Sequence, residues 1–305
     1  MLRRELLRLV FCQIRVEVNL VNLPFSVRDA QGRLVKGLTK DDFEVFEDGT
    51  RQTISHFSQA ADTPLALGLV ADASGSQEEF LKEHRQHLRD FLKVTLQARD
   101  QAFLLCFGNN LRLVSAFTNQ ADQIEERLRA YQKSKTGRDF PRVGPAEKRD
   151  LGTAFYDAIF HATEDLLAKA ETGRRALLVF SDGEDNSSAH HLLEAIEAAQ
   201  RTGTTIFCLR YTELEKGVWN ARNKYGRGVM ERIARETGGL EFDAAEERNL
   251  KAAFAQIGEI LRSSYDLAYA STAGSGGDTF RKIQIRTRQP GLAVRHKTGY
   301  FARKD

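Results

Sequence analysis

The sequence predicts an α/β fold in which a doubly wound, mostly parallel sheet with one antiparallel edge strand is inserted into a small β-rich module. Between residues 65 and 262, nearly continuous apolar runs alternate with amphipathic helical stretches, a rhythm typical of parallel strands covered by helices on both faces. Two of these runs, 102–107 and 111–117, are separated by only three residues, so the second strand must return antiparallel. Residues on either side of this span show short strands and turns instead.

The β-rich module is predicted from the two ends of this chain. Residues 15–61 begin with alternating apolar and polar residues and contain Asp48-Gly49, a hairpin signal that precedes a returning strand at 52–57. Residues 263–305 return to the same strand rhythm around a glycine-rich loop. Because an isolated hairpin is only marginally stable, we expect the two segments to pair with each other, with residues 62–262 forming the inserted domain.

Residues 1–14 are predicted to form an N-terminal arm. They start with basic residues followed by an apolar run, as a signal peptide does, but Glu5 and Arg8 interrupt the run and no small-residue cleavage site follows. No stretch of the sequence approaches the roughly 18 consecutive apolar residues of a membrane-spanning helix. We therefore expect no membrane span, and the sequence leaves the compartment open.

The composition is that of a soluble globular protein. The chain has 305 residues, of which 45 are Lys or Arg and 42 are Asp or Glu, giving a formal net charge of +3. This near-neutral balance argues against a dedicated nucleic-acid binder, which needs a concentrated basic surface. The three cysteines exclude a disulfide scaffold. Cys106 and Cys208 lie in apolar runs and are predicted to be buried thiols on non-neighbouring strands, with no disulfide between them.

Oxygen-bearing side chains follow two of the predicted parallel strands. Asp72, Ser74 and Ser76 come directly after the first apolar run, Asp182 comes after the run at 176–180, and Thr153 opens a helix between them. Ligands of open α/β sheets bind at the carboxyl ends of the strands, so these side chains are expected at one edge. Carboxylates and hydroxyls are hard donors that suit Mg²⁺, with Mn²⁺ or Ca²⁺ as alternatives.

The pattern Asp-x-Ser-x-Ser, followed by this threonine and by an aspartate in Ser-Asp-Gly, resembles the metal-ion-dependent adhesion site of von Willebrand factor type A domains. The resemblance covers residues 62–262 and implies a Rossmann-like type A domain. It implies that Asp72, Ser74, Ser76, Thr153 and Asp182 hold Mg²⁺ directly or through water. It further implies a non-enzymatic adhesion module whose protein partner supplies an Asp or Glu carboxylate to the metal.

The flanking segments carry a second resemblance. Residues 37–49 and the Arg281-Lys-Ile and Gly299-Tyr-Phe motifs look like the flanks of the type A-related domain common in Acidobacteria. With them the likeness extends over nearly the whole chain and suggests a bacterial protein. Relatives of this kind are often exported, although this chain has no convincing signal peptide. The resemblance assigns no biochemical activity.

Each candidate metal ligand also has a purely structural interpretation. Ser74 or Ser76 could cap the helix that follows them, and Thr153 could cap its own helix. Asp182 with the glycine after it could be only a turn. Glu184 and Asp185 are predicted to be solvated loop acids, with binding of a second ion as the alternative. The histidines are predicted to have surface roles, with metal ligation as the alternative: His84, His87, His190 and His191.

Two loops are predicted to contact a partner. Residues 132–149 carry six basic and two acidic residues, a net charge of +4, and lead into the predicted metal site. Residues 212–228 follow a strand at the same edge and contain the only tryptophan. Arginine and aromatic side chains are enriched at interface hot spots, while a solvated loop is the alternative for both. The residues concerned are Arg138, Arg142, Trp219 and Tyr225.

Two other functions remain open at this stage. The first is a metal-dependent hydrolase or phosphatase at the same edge. A haloacid-dehalogenase-type phosphatase would need an aspartate where Ser74 stands, and the sequence has neither a Gly-x-Ser-x-Gly elbow nor a phosphate-binding Gly-x-x-x-x-Gly-Lys loop. The second is a structural envelope or assembly component with a vestigial metal site. The oligomeric state is not predicted.

Overall fold

The computed structural model describes residues 20–74, 78–108, 110–134, 137–145, 152–171, 173–212, 220–273 and 279–302, and for residues 78–80 it describes the backbone alone. The predicted arm at 1–14 and two candidate site residues, Ser76 and Trp219, lie outside the described residues.

Strands and helices alternate in the central part of the described chain, as the hydrophobic rhythm predicted, and strands alone make up most of its two ends. The strands are β1 (Leu20–Arg28), β2 (Phe43–Glu47), β3 (Thr50–Gln52), β4 (Ile54–Gln59), β5 (Leu65–Asp72), β6 (Gln101–Phe107), β7 (Leu111–Thr118), β8 (Arg174–Ser181), β9 (Thr204–Arg210), β10 (Glu241–Asp243), β11 (Tyr265–Ala270), β12 (Thr279–Thr287), β13 (Ala293–His296) and β14 (Gly299–Ala302). The helices are α1 (Glu78–Thr95), α2 (Ala121–Lys133), α3 (Phe155–His161), α4 (Leu192–Thr202), α5 (Ala221–Thr237) and α6 (Glu247–Ser263).

The central sheet has the order β10-β9-β8-β5-β6-β7 and confirms the predicted fold class. Its described pairings are parallel except that of β7 with β6, which is antiparallel at the edge of the sheet. Every residue of β5 is buried, which explains why the sequence shows a continuous apolar run there rather than an alternating one.

Helices cover both faces of this sheet. One face packs against α1, α2 and α6, and the other packs against α3, α4 and α5. The helix α6 packs through one apolar face, formed by the buried residues Leu250, Phe254, Ile257 and Leu261. None of the described helices is both long and apolar enough to cross a membrane.

The β-rich module joins the two ends of the described chain. One four-stranded sheet has the order β13-β1-β11-β4, and the other has the order β14-β12-β2-β3. Each sheet therefore pairs strands that precede the central sheet in sequence with strands that follow it, which is the inserted arrangement expected. The boundaries at residues 62 and 262 stay predictions.

The strand predicted to return at 52–57 differs in the structure. It splits at Thr53, so that β3 completes a hairpin with β2 while β4 crosses to the other sheet and pairs with β11. The hairpin signal at Asp48-Gly49 was correct, but the sequence does not show where the strand changes sheets. That switch depends on which side chains fill the core between the sheets, where Phe43, Phe57 and Tyr265 pack together.

A carboxylate lies inside the β-rich module. Glu47 is 1% exposed and accepts hydrogen bonds from the hydroxyls of Tyr269 at 2.6 Å, Ser271 at 2.6 Å and Tyr300 at 3.1 Å. Buried charges are tolerated only when their hydrogen-bonding capacity is used, and three hydroxyl donors meet that requirement here. The network connects β2, near the start of the described chain, with β11 and β14, near its end.

Both cysteines are buried and free, as predicted. Cys106 lies on β6 and Cys208 on β9, and two other strands separate them in the sheet. Burial raises the pKa of both thiols, and nearby carboxylates raise it further. The thiolate is the reactive form of cysteine, so these two side chains behave as packing residues.

The module contacts the central domain at the amino edge of the parallel strands. Arg174, the first residue of β8, is 5% exposed and donates to the carbonyl oxygens of Ala60 at 3.0 Å and Leu261 at 2.5 Å. Its Nε lies 3.2 Å from a carboxylate oxygen of Asp266 on β11. Burial raises the pKa of Asp266 to about 6, although the Arg174 charge opposes the rise.

A buried lysine makes a second contact at this junction. Lys297 is 4% exposed, and its ammonium group donates to the carbonyl oxygen of Gln200 at 2.7 Å in the last turn of α4. Carbonyl groups at a helix C-terminus favour a cation. Burial nevertheless lowers the pKa of Lys297 to about 7.

This lowered pKa predicts a pH dependence of stability. Above pH 7 the unfolded chain keeps the proton on Lys297 while the folded chain loses it, so the contribution to stability rises with pH toward the unfolded pKa. We expect the free energy of unfolding of the wild type to rise by about 1 kcal/mol more between pH 7 and pH 8 than that of Lys297→Met. Urea unfolding at the two pH values measures the difference.

Lys251→Met is the matched control, because Lys251 is 57% exposed on α6. It should keep the wild-type dependence on pH. Equal pH dependence of the wild type and Lys297→Met would contradict the prediction.

Candidate metal centre

The two candidate carboxylates lie at the ends of neighbouring strands. Asp72 is the last residue of β5, and Asp182 directly follows β8. The two strands pair in parallel, with Ala71 opposite Phe180, so both carboxylates stand at the carboxyl edge of the sheet. The topology therefore brings together residues that are far apart in the sequence.

Asp72 is buried and held by hydroxyl and main-chain donors. It is 1% exposed; its Oδ1 accepts the main-chain N–H of Ser74 at 2.9 Å, and its Oδ2 accepts the Ser181 hydroxyl at 3.0 Å. The Ser74 side chain also hydrogen-bonds to this carboxylate. These contacts hold Ser74 against the end of β5.

Burial makes the negative charge of this edge costly. It raises the pKa of Asp72 to about 6, with the nearby Asp182 charge adding to the rise and the hydroxyl donors opposing it. Burial likewise raises the pKa of Asp182, against the opposing effects of the Glu184 N–H and the Arg222 charge. Two partly desolvated carboxylates that repel each other favour a cation between them.

Thr153 lies at the same edge. Its N–H donates to the side-chain oxygen of Asn186 at 2.7 Å, and its carbonyl accepts the Asn186 N–H at 3.1 Å. The next residue, Ala154, donates its N–H to the carbonyl of Gly108 at 2.9 Å, just beyond the end of β6. The described residues of the predicted set, Asp72, Ser74, Thr153 and Asp182, therefore lie on elements that meet at one edge of the sheet.

The helix-cap interpretation of Thr153 is wrong. The N-cap position of α3 is Ala154, and the cap is supplied by Asp185 from the loop after β8. One Asp185 oxygen accepts the N–H groups of Phe155 at 2.9 Å and Tyr156 at 3.3 Å. A carboxylate at a helix N-terminus is favourable for the same electrostatic reason as any anion there.

The expectation that Glu184 and Asp185 are solvated loop acids is also corrected. Asp185 caps α3 as described, and Glu184 is ion-paired with Arg222 at the start of α5. Burial and the Asp182 charge raise the pKa of Glu184, while the Arg222 charge opposes the rise. The loop acids therefore bind the loop to two helices.

The predicted histidines have structural roles in the described part of the chain. His190 lies 2.7 Å from the buried carboxylate of Asp157, and its ring stacks on Phe160 with centroids 3.8 Å apart. His191 is the N-cap residue of α4. His84 and His87 contact each other on α1. Among the described residues, no group of three or more His, Cys, Asp or Glu side chains is placed to hold a metal.

Two glycines set the distance between the Asp182 loop and α5. Gly183 has a φ of +82°, and a Cβ there would lie 2.3 Å from the carbonyl oxygen of Gly226. A Cβ on Gly226 would lie equally close, 2.3 Å, to the carbonyl oxygen of Asp182. Only glycine permits two backbones to approach so closely. The sequence offers no signal for this contact beyond the Asp-Gly pair itself.

The described part of the basic loop lies along the edge of the sheet. The main chain of Arg142 forms an antiparallel β-bridge with that of Arg112 on β7, and the Val143 N–H donates to the Leu111 carbonyl at 3.2 Å. Phe140 is buried at 5% exposure beneath it. In the described part, residues 137–145, the interpretation as an unattached solvated loop is therefore wrong. Arg138 and Arg142 are both exposed. Burial lowers the pKa of Arg112, and the charges of Arg142 and Arg138 lower it further.

Tyr225 lies on a helix rather than in a loop. The helix α5 begins at Ala221, inside the segment 212–228 that the sequence predicted to be a loop. Tyr225 is 64% exposed, and its side chain hydrogen-bonds with that of Tyr156 on α3. The exposed ring therefore stands beside the loop that carries Asp182.

No family model matches the chain, and no curated protein matches it. Similar solved structures include proximal thread matrix protein 1 from the mussel byssus, at 11% identity and a TM-score of 0.48, covering 78% of this chain and 50% of that one. The vWF domain of the type V pili tip protein Mfa5 from Porphyromonas gingivalis is similar at 13% identity and a TM-score of 0.45, covering 65% and 94%.

A third similar structure is BatB from Bacteroides thetaiotaomicron, at 15% identity and a TM-score of 0.43, covering 66% of this chain and 99% of that one. The chain spans about half the length of the mussel protein. The assignment to the Acidobacteria-type group stays a prediction.

The glycine contact yields a prediction about stability. We expect Gly226→Ala to lower the free energy of unfolding by about 1–3 kcal/mol, because the added methyl group would overlap the Asp182 carbonyl and neither backbone can move freely. Gly228→Ala, two residues along the same helix, should raise stability by about 0.5–1 kcal/mol because a Cβ there meets nothing within 4 Å.

Urea unfolding of both variants measures these changes. If Gly226→Ala were as stable as Gly228→Ala, the close approach of α5 to the Asp182 loop would be wrong.

Proposed function

We propose that this chain is a non-enzymatic, adhesion-type protein-binding module that acts through a divalent cation at the carboxyl edge of its sheet. The observation that carries the proposal is the buried carboxylate of Asp72, which shares this edge with Asp182 and with the hydroxyl-bearing residues Ser74 and Thr153. Mg²⁺ is the proposed ion, with Mn²⁺ or Ca²⁺ as alternatives. Ser76 completes the proposed ligand set.

The donor set fits a hard cation. It contains only oxygen donors, and its two carboxylates would just balance the charge of a divalent ion. Hydroxyl ligands add no further negative charge, so the bound ion would remain attractive to an additional anionic ligand. A carboxylate from an Asp or Glu side chain of a protein partner supplies that ligand in the proposal.

The surroundings of the edge support a preorganised site. Ser181 orients Asp72, Asn186 holds the backbone of Thr153 on both sides, and Asp185 fixes the loop after β8 to α3. Ligand groups held by such contacts need little rearrangement when an ion binds. None of these three residues is itself one of the proposed ligands.

The charge around the site favours an acidic partner. Arg112 lies opposite Cys106 near the carboxyl end of β6, and Arg138 and Arg142 are exposed beside it. Since β7 is two strands from β5, Arg112 stands roughly 10 Å from the Asp72 strand, and Arg142, which pairs on the outer side of β7, stands roughly 14 Å from it. A carboxylate-bearing partner would meet the metal and this basic surface together. Tyr225 is a second proposed contact, on the other side of the edge.

The metal proposal predicts a loss of binding without a loss of fold. We expect calorimetric titration to show one Mg²⁺ per chain for the wild type and at least about tenfold weaker binding for Asp72→Asn and Asp182→Asn, since each loses a charged ligand. Thr153→Ala should have a smaller effect because a hydroxyl is a neutral donor. Thermal unfolding without metal should show each variant folded.

Asp139→Asn is the matched control, because this exposed acid lies on the basic loop and outside the ligand set. It should bind Mg²⁺ as the wild type does. If all of these variants bound Mg²⁺ as tightly as the wild type, the proposed metal site would be wrong. Hydrolysis of a generic phosphate ester that disappears in Asp72→Asn would favour the hydrolase alternative.

The partner proposal predicts metal-dependent recognition of acidic peptides. On an array of peptides with and without Asp or Glu, we expect binding of acidic sequences in Mg²⁺ and its loss in EDTA. Arg142→Glu should weaken that binding about threefold to tenfold through charge repulsion, while leaving the Mg²⁺ affinity within about twofold.

Arg99→Glu is the control for this charge reversal, because Arg99 is exposed between α1 and β6 at the opposite edge of the sheet. It should bind the peptides as the wild type does. Peptide binding that persists in EDTA would contradict the proposed role of the metal.

A further inference from the structure

A groove of about 410 Å³ lies where the β-rich module meets the last turn of α5. Its walls come from β1, β12, β13 and α5, and its charged residues are Arg28, Arg235, Lys282 and Arg295. Arg235 lies in the last turn of α5, just before the chain enters the parallel strand β10. The end of α5 therefore lies near the amino ends of the strands, and the groove lies toward that edge of the central sheet. It is therefore separate from the edge that carries Asp72.

The lining of the groove is strongly cationic. Its four basic side chains carry a formal charge of +4, and no acidic residue lines it in the described part of the chain. Glu236 is shared between two arginines, because it accepts from Arg232 at 2.7 Å and lies 3.9 Å from the Arg235 guanidinium. Asp48 accepts from Arg281 at 3.2 Å and from the main-chain N–H of Lys282 at 2.9 Å.

Two of the arginines are held by neutral acceptors. Arg28 donates to the carbonyl of Gly32 at 2.6 Å, and Arg295 donates to the carbonyl of Gly239 at 3.1 Å. The Nη2 atom of Arg28 finds no acceptor among the described residues. Carbonyl groups fix these side chains in position without neutralising them, and the strands that carry them pair directly. Burial lowers the pKa of Arg295, and the neighbouring Arg28 charge lowers it further.

We propose that this groove binds a small organic phosphate. Guanidinium groups match phosphate oxygens with paired hydrogen bonds, and several fixed cations favour a doubly charged group over a singly charged one. Thr298, Ala293 and Val294 also line the groove, so a hydroxyl-bearing residue and two small apolar residues stand beside the cations. The volume exceeds that of a phosphate group alone, as a phosphate ester requires.

The proposal is tested by calorimetry with two probes, pyrophosphate and glucose 6-phosphate, at constant ionic strength in metal-free buffer. We expect saturable binding of both to the wild type and at least tenfold weaker binding to Lys282→Gln and to Arg295→Gln. Lys282 is exposed on β12, so its variant should fold even if Arg295→Gln does not. Thermal unfolding checks that each variant is folded.

Arg286→Gln is the matched control on the same strand, because the Arg286 guanidinium stacks on Phe46, 4.5 Å from the ring centroid, and does not line the groove. It should bind both probes as the wild type does, and so should Asp72→Asn. Absence of binding, equal weakening by Arg286→Gln, or acetate binding as tightly as glucose 6-phosphate would overturn the proposal.

Discussion

The pairing of β5 with β8 is the constraint on which the candidate site depends. It places Asp72 and Asp182 at one edge of the sheet although more than 100 residues separate them in sequence. Their proximity has an electrostatic cost, since Asp72 is buried and its pKa is raised by that burial and by the Asp182 charge. Hydrogen bonds from Ser74 and Ser181 offset part of this cost. A fold gains little stability from such an arrangement, and perturbed pKa values of this kind concentrate at functional sites.

The loop after β8 converts this strand pairing into a defined geometry. Asp185 caps α3, Asn186 holds the Thr153 backbone, and Gly183 lies in backbone contact with Gly226 of α5. Each contact fixes the loop to a different element, so the loop cannot shift without disturbing two helices. The position of Asp182 therefore follows from packing throughout the carboxyl edge, rather than from the short Ser-Asp-Gly motif alone.

The sequence predicted the features that hydrophobic periodicity reports. Continuous apolar runs revealed the buried strands, and the polar residues at their ends gave the candidate site, because ligands of open α/β sheets bind at the carboxyl ends of the strands. Contacts between distant segments leave no such local signal. Two of the missed features depend on a partner at least 30 residues away in sequence: the capping of α3 by Asp185 and the contact at Gly226. The third, the change of sheets at Thr53, depends on which core the strand joins. Tertiary packing decides them, and a single sequence does not display it.

The strand β8 also runs from the amino edge to the carboxyl edge of the central sheet. It begins at Arg174, which is bound into the junction with the β-rich module, and it ends at Ser181, which orients Asp72. A buried strand paired on both sides is stiff, so it can position both ends precisely but can shift only with the whole sheet. Any communication between the candidate metal edge and the module would therefore pass more easily through helices that slide on the sheet. The helix α6 fits this requirement, because it packs on one face of the sheet and leads directly into β11 of the module.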